Sequence, residues 1–314
     1  DNAGLVLFKG ASLPCDATKI INRAGAELRQ QSATTSNIGA YLDDQGGTVR
    51  SAQGDMTWYA GPGGLLAGTQ LIADAGTTLS FQLGGPKQFD VTGGVTFSGA
   101  GRIANHSVTW VGSGDLVFNF SPGGSFDGVV SHYAMGGSID VREGLVDISY
   151  SVTIDMPVIV EDGGRFSSTH LFDYPSVFNQ PITVQSGGQL VGSGYDETYY
   201  HTEYGDVVLT AGSQFVLTAF RTTPGHGVTF VDSIDLGGGT LSFDHTQVPL
   251  GGAYQFLKAP NRAAITGQFG NAAFDTPFVQ GGRQFLLEAD ADGWITLRSL
   301  YASTVYVNST WVGL

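Results

Sequence analysis

The chain has 314 residues, 41% of them hydrophobic and 11% aromatic, enough to fill a large core, so it is not a disordered polymer. Charged residues make up only 13%, and 14 basic against 28 acidic residues give a net charge of −14, which argues against nucleic acid as a partner. The 47 glycines follow no three-residue period, which excludes collagen, and the single cysteine, Cys15, excludes an internal disulfide and a cysteine-based metal site.

Residues 1–45 read as an N-terminal cap or assembly segment. They open with the apolar run Leu5, Val6, Leu7, Phe8 and contain the only convincing helical periodicity, from Asp16 to Gln31. There Ile20, Ile21, Ala24 and Leu28 share one face after an Asp16 cap, which predicts a helix.

From residue 46 to 298 the chain reads as short strands bounded by Gly, Asp or Ser, such as Val95-Thr96-Phe97, Val108-Thr109-Trp110 and Leu241-Ser242-Phe243. An internal repeat decides between architectures. Pro157-Val-Ile-Val-Glu-Asp-Gly-Gly-Arg-Phe166 matches Pro181-Ile-Thr-Val-Gln-Ser-Gly-Gly-Gln-Leu190 slot for slot, 24 positions on (181 − 157). Further copies run from Val207 to Phe215 and from Ile234 to Leu241, and Leu71 to Leu79 has the same shape upstream.

A period near 24 suits one coil of a solenoid made of three short strands and their corners, in which each coil stacks its apolar residues on the one before. Paired glycines such as Gly163-Gly164 and Gly187-Gly188 supply the positive φ that tight corners need. The expected fold is all-β, a right-handed parallel β-helix; an antiparallel sandwich or barrel with Gly-Gly hairpins is the competing reading. Residues 299–314 then form an extended apolar strand, with Val305, Tyr306, Val307, Trp311 and Val312 as candidate assembly residues alongside Leu5 to Phe8.

These coils resemble autotransporter passenger β-helices and proteins with autotransporter-associated β-strand repeats. Gly252-Ala-Tyr-Gln-Phe-Leu-Lys-Ala259, Ile265 to Phe269, Phe278, Phe285 to Glu288 and Gly293-Trp-Ile-Thr-Leu297 are similar to the block that closes such repeats. The resemblance implies a secreted β-helix, though the membrane barrel that would export an autotransporter is absent from this sequence.

Export is also expected from a composition rich in Gly, Ser, Thr and aromatics and poor in Lys, with any signal peptide removed and no apolar run long enough to span a membrane. Asn105, Asn119 and Asn308 sit in sequons compatible with export. The oddest local feature is Tyr195-Asp-Glu-Thr-Tyr-Tyr-His-Thr-Glu-Tyr204, which interrupts a coil. Its candidate role is glycan binding through Tyr195, Tyr199, Tyr200, His201 and Tyr204, against a plain loop or subunit contact.

Asp43-Asp44, Asp162 and Asp173 are carboxylates that a polysaccharide-degrading β-helix would use, but the scarcity of Lys and Arg argues against an enzyme on acidic glycans. The six histidines show no ligand spacing, so neither a metal nor a cofactor is expected, and Asp290-Ala-Asp-Gly293 reads as a hairpin turn. The sequence thus favours a secreted structural solenoid that associates with itself into a filament or surface layer, by exchange of terminal strands. A surface adhesin is the second hypothesis and a polysaccharide-degrading enzyme the third.

Overall fold

A computed structural model describes residues 1–10, 12–13, 19–59, 63–129, 131–149, 151–168, 170–171, 176–192, 200–218 and 228–300. Regular structure among them is almost wholly β, with one short 3-10 turn at Arg262–Ala264 and no α-helix. The strands stack in parallel, each pairing with strands about one coil earlier and later in sequence, which is the pattern of a parallel β-solenoid and excludes the antiparallel sandwich.

Each coil contributes one strand to each of three faces. On the first face an aliphatic column runs Val95, Leu116, Ile139, Val158, Ile182, Val207, Ile234 and Ile265, each Cα facing the next across a parallel ladder. A second inward column runs Leu28, Val49, Leu71, Phe97, Phe118, Val141, Val160, Val184 and Leu209. These residues are buried, because period-two alternation within each strand and exact stacking between coils put every second side chain into the same dry interior.

Aromatics dominate the middle of the core. Phe97 and Phe118 stack at 4.5 Å between ring centroids, and Phe89, Trp110 and Tyr133 continue as a stacked column on the third face. The coil is elastic in length: Val141 meets Val160 after 19 positions (160 − 141), and Val160 meets Val184 after 24 (184 − 160). Gly163 and Gly187 hold φ of +85° and +83° at the corners where positive values were expected.

The N-terminal helix is not formed. Residues 19–23 and 27–30, which the helical reading spans, are strands Lys19–Arg23 and Glu27–Gln30. Ile20 stacks on Leu42 and Leu28 on Val49, so pairing with the next coil overrides a weak local periodicity. The first 45 residues accordingly supply the first rungs of the solenoid: Leu5–Phe8 pairs with Glu27–Gln30, Ser12–Leu13 with Ser36–Ile38, and Lys19–Arg23 with Tyr41–Gln45.

The other end is different. Strand Ala253–Lys258 stacks on the last third-face rung, and then Trp294–Ser299, Arg283–Ala289 and Phe278–Gln280 add to it in antiparallel order. Phe256, Phe269, Phe285, Leu287, Ile295 and Leu297 are buried beneath this layer. These strands form an antiparallel lid over the final coil, where the sequence reading continues the parallel solenoid to residue 298.

Candidate functional site

The chemistry available to the molecule follows from which residues the coil turns outward and which it leaves without a neighbour. Among the described residues, Leu5–Phe8 has a ladder on one side only. Val6 belongs to the inward column, above Leu28, yet it is 38% exposed where Leu28 is 1% exposed, and no described strand pairs on its other side. Leu5 and Leu7 face outward at 53% and 40%, and Phe8 is buried. An edge of this kind offers unpaired backbone groups together with apolar side chains, the combination that recruits another strand.

The same end carries a polar ladder. Asn2 Nδ2 donates to Asn22 Oδ1 at 2.8 Å, and Asn22 Nδ2 donates to Asp44 Oδ2 at 2.6 Å. Buried Asp44 also accepts from the Gly47 N–H at 2.8 Å and the Thr69 hydroxyl at 2.9 Å. Its neighbour Asp43 is paired with Lys19 at 2.7 Å, and that bond holds its carboxyl below the usual range. Asp43 and Asp44, candidates for acid–base chemistry, are thus both consumed by structure.

The tyrosine-rich cluster divides. Tyr195 and Tyr199 lie outside the described residues, as do Asp173, Val305, Tyr306, Val307, Trp311 and Val312. Tyr200 and His201 begin strand Tyr200–Leu209, where they pair antiparallel with Leu171 and His170. Tyr204 is not a surface residue. It continues the interior column after Phe178, with ring centroids 5.6 Å apart, and its hydroxyl donates to Val191 O at 2.6 Å while accepting from Ser168 N. At 4% exposure it has no face to offer a sugar. The chain turns a corner at Gly205 between Tyr204 and Val207, and the third-face ladder places Tyr204 inward opposite buried Val231, so the glycan reading loses this residue.

The most perturbed carboxyl was not among the sequence candidates. Asp147 follows Asp127 on the adjacent rung of the second face, and Ser167 follows it on the next. Burial first, and then the Asp127 charge, push the Asp147 carboxyl up to about 6, against a hydrogen bond from Ser167. Oδ1 of Asp147 is inaccessible and has no hydrogen-bond partner, while Asp127 is paired with Arg102. The two lie 20 positions apart (147 − 127), short of the 24-residue repeat, so the sequence carried no signal that stacks them.

A surface cleft of about 500 Å³ opens on the third face, where Val177 and Phe178 face Glu203 to Gly205 across adjacent coils. Phe230, Asp232, Lys258 and Pro260 complete its walls. Among the described residues no three His, Cys, Asp or Glu side chains converge on a metal position, and no helix is long and apolar enough to cross a membrane. Asp290 to Gly293 form the turn between two antiparallel strands, with Asp290 Oδ1 accepting from Trp294 N at 2.9 Å. Asn105 is fully buried, which removes it as a glycosylation acceptor, and its amide bonds Ser131 and Tyr133.

No family model matches the chain, and no curated protein is similar to it. Function therefore has to be argued from the geometry alone.

Proposed function

We propose that the protein is a secreted structural β-solenoid that associates end to end with copies of itself, building an extracellular filament or surface layer. The observation that supports this reading is the strand Leu5–Phe8, which among the described residues pairs on one side only and leaves Val6 38% exposed in an otherwise buried column. The joint is formed when residues 305–312 of one subunit add as a strand to that rung of the next.

The reach of the chain supports a neighbour over self-capping. Eleven successive first-face pairings separate Leu5–Phe8 from Ile265–Thr266, about 53 Å at about 4.8 Å per rung. Leu300 is tied by its N–H to Gln284 O in the lid beyond the last rung. From there Val305 reaches at most about 18 Å and Val312 about 43 Å, at about 3.6 Å per residue. These residues cannot lie on their own first rung, whereas a subunit stacked on the lid would present its first rung within reach.

Charge supports the same geometry. Residues 31–243 hold 20 acidic and 6 basic side chains, so the whole net charge of −14 falls on the body of the solenoid. The two ends, 1–30 and 244–314, together hold eight of each. Side-by-side contact is opposed by like charge, and end-to-end contact is not. Export is supported by composition, and the passenger-like repeats by the coil itself.

The test is negative-stain electron microscopy with light scattering on the intact chain and on a variant lacking 301–314. Filaments or oligomers from the intact chain alone support the reading. Equal assembly by both refutes strand exchange, and monomers from both refute self-association.

A further inference from the structure

We propose that the third-face cleft binds an uncharged saccharide, with a sugar ring lying against Val177, Phe230 and Pro260 and its hydroxyls bonded to Asp232 and Ser176. The site stands apart from self-association, since the cleft opens on the flank of the solenoid.

The cleft exists because a ladder is interrupted. Val177–Phe178 pairs with Thr153–Ile154, and among the described residues no pairing joins it to the next rung, Thr202–Tyr204. Beyond the break the ladder resumes through Thr229–Val231 to Leu257–Lys258. Gly205 brings the two unpaired rungs close at one point, where a β-carbon would meet Phe178 O at 2.6 Å. The cleft of about 500 Å³ lies along the interrupted pairing, a volume that suits a small-molecule site.

Its walls are of two kinds. Val177 is 43% exposed, and half-buried Phe230 and exposed Pro260 add further apolar surface. Against these stand polar groups. Asp232 is exposed, and no described residue engages its carboxylate. Ser176 is only 3% exposed, yet its hydroxyl has no hydrogen-bond partner. A buried hydroxyl left unpaired is costly, and a ligand hydroxyl would relieve it.

These walls select the ligand. A pyranose has apolar C–H faces and a rim of hydroxyls that both donate and accept, so one molecule can cover the apolar wall and donate to a carboxylate. An acidic sugar or a phosphate would be repelled by Asp232 and Glu203. The cation of the wall, Lys258, is already committed: Nζ donates to Ala259 O at 2.7 Å and to Asp292 O, and lies 5.5 Å from the centre of the Trp294 ring. A lipid chain would press hydrocarbon onto the carboxylates. Recognition thus rests on Phe230 and Asp232, which the tyrosine-rich reading did not include.

The experiment is isothermal titration calorimetry on the full-length chain. The probes are cellotriose, mannotriose and chitotriose as neutral sugars, trigalacturonate as an acidic one and phenethylamine as an apolar cation. At least one neutral trisaccharide should saturate the protein, and trigalacturonate should bind at least about tenfold more weakly. Phe230→Ala and Asp232→Ala should each weaken the neutral sugar at least about tenfold, with circular dichroism checking that both keep the β-fold. Because Asp232 is exposed, its variant decides the matter even if Phe230→Ala fails to fold. The inference is overturned if no neutral sugar binds, if trigalacturonate or phenethylamine binds in their place, or if Asp232→Ala binds the sugar undiminished.

Discussion

Replacing Asp147 by asparagine should stabilise the protein at neutral and alkaline pH and leave it nearly unchanged in acid. The folded carboxyl titrates at about 6 against an ordinary value of 3.8, raised chiefly by burial and further by Asp127 on the neighbouring rung. A raised acid binds its proton more tightly in the folded than in the unfolded chain. Stability is therefore highest below the unfolded value and is lost as pH climbs from about 4 through about 6. About two units at about 1.4 kcal/mol each make the ionised side chain cost roughly 3 kcal/mol relative to a neutral one. Asparagine keeps the shape, carries no charge and retains an oxygen for the Ser167 hydroxyl. Urea unfolding of both proteins at about pH 4 and about pH 8 isolates the effect, because the other carboxyls are common to both and cancel. The expected advantage of Asp147→Asn is roughly 3 kcal/mol at the higher pH, shrinking toward zero at the lower. A difference that does not change with pH, or a natural chain more stable at pH 8, would refute the argument from burial and like charge.

Tyr204→Phe should cost about 1–3 kcal/mol in urea unfolding by leaving Val191 O and Ser168 N without the hydroxyl, and Tyr204→Ala about 3–5 kcal/mol by emptying a place in the aromatic column. Gly99→Ala should lose more than about 1 kcal/mol of stability, because φ is +103° there and a β-carbon would meet Ala73 O at 2.0 Å. Substituting Asp44 by alanine removes the acceptor of Asn22, Thr69 and the Gly47 N–H together, so hydrogen exchange should quicken in the first coils and stay slow near the lid.

What the sequence discloses is the repeat. Once Phe166 and Leu190 are seen to occupy one slot, the inward column that joins them is fixed, and the structure pairs them across the second face. In the segment 252–297 the Asp290 to Gly293 turn was legible, and it joins two antiparallel strands, but the antiparallel order of the whole segment was not read from the sequence. The N-terminal strands were not. Ile20, Ile21, Ala24 and Leu28 satisfy a helical period by accident, and only the next coil, bringing Leu42 and Val49 alongside, makes strands the better solution. Tyr204 was misread because a tyrosine-rich insertion draws attention to composition, while its side-chain direction is set by the corner at Gly205, which breaks the alternation running back from Val207 and places Tyr204 opposite Val231. The Asp127–Asp147 pair was invisible because stacking distance in a solenoid is set by the length of each corner, which varies from coil to coil.

That variation bears on how such a molecule ends. Within the stack every rung satisfies the one before it, so irregular corners cost little as long as the inward columns stay aligned. A terminal rung has no such partner, and the chain treats its two ends differently. At Ile265–Thr266 it reverses direction, and the antiparallel lid buries Phe256, Phe285 and Leu297 over the last coil. Among the described residues Leu5–Phe8 pairs on one side only, with Val6 above Leu28 in the inward column and Asn2 above Asn22 in the polar ladder that runs to Asp44. Both ladders can accept one more member without rearrangement, since Asn2 and Val6 already hold the positions that Asn22 and Leu28 hold one rung below. An unpaired strand edge is a ready template for a further strand, which is what the proposed end-to-end association uses. The like charge here lies on residues 31–243 and is balanced in 1–30 and 244–314, so the end-to-end contact that we propose meets less repulsion than a side-by-side one.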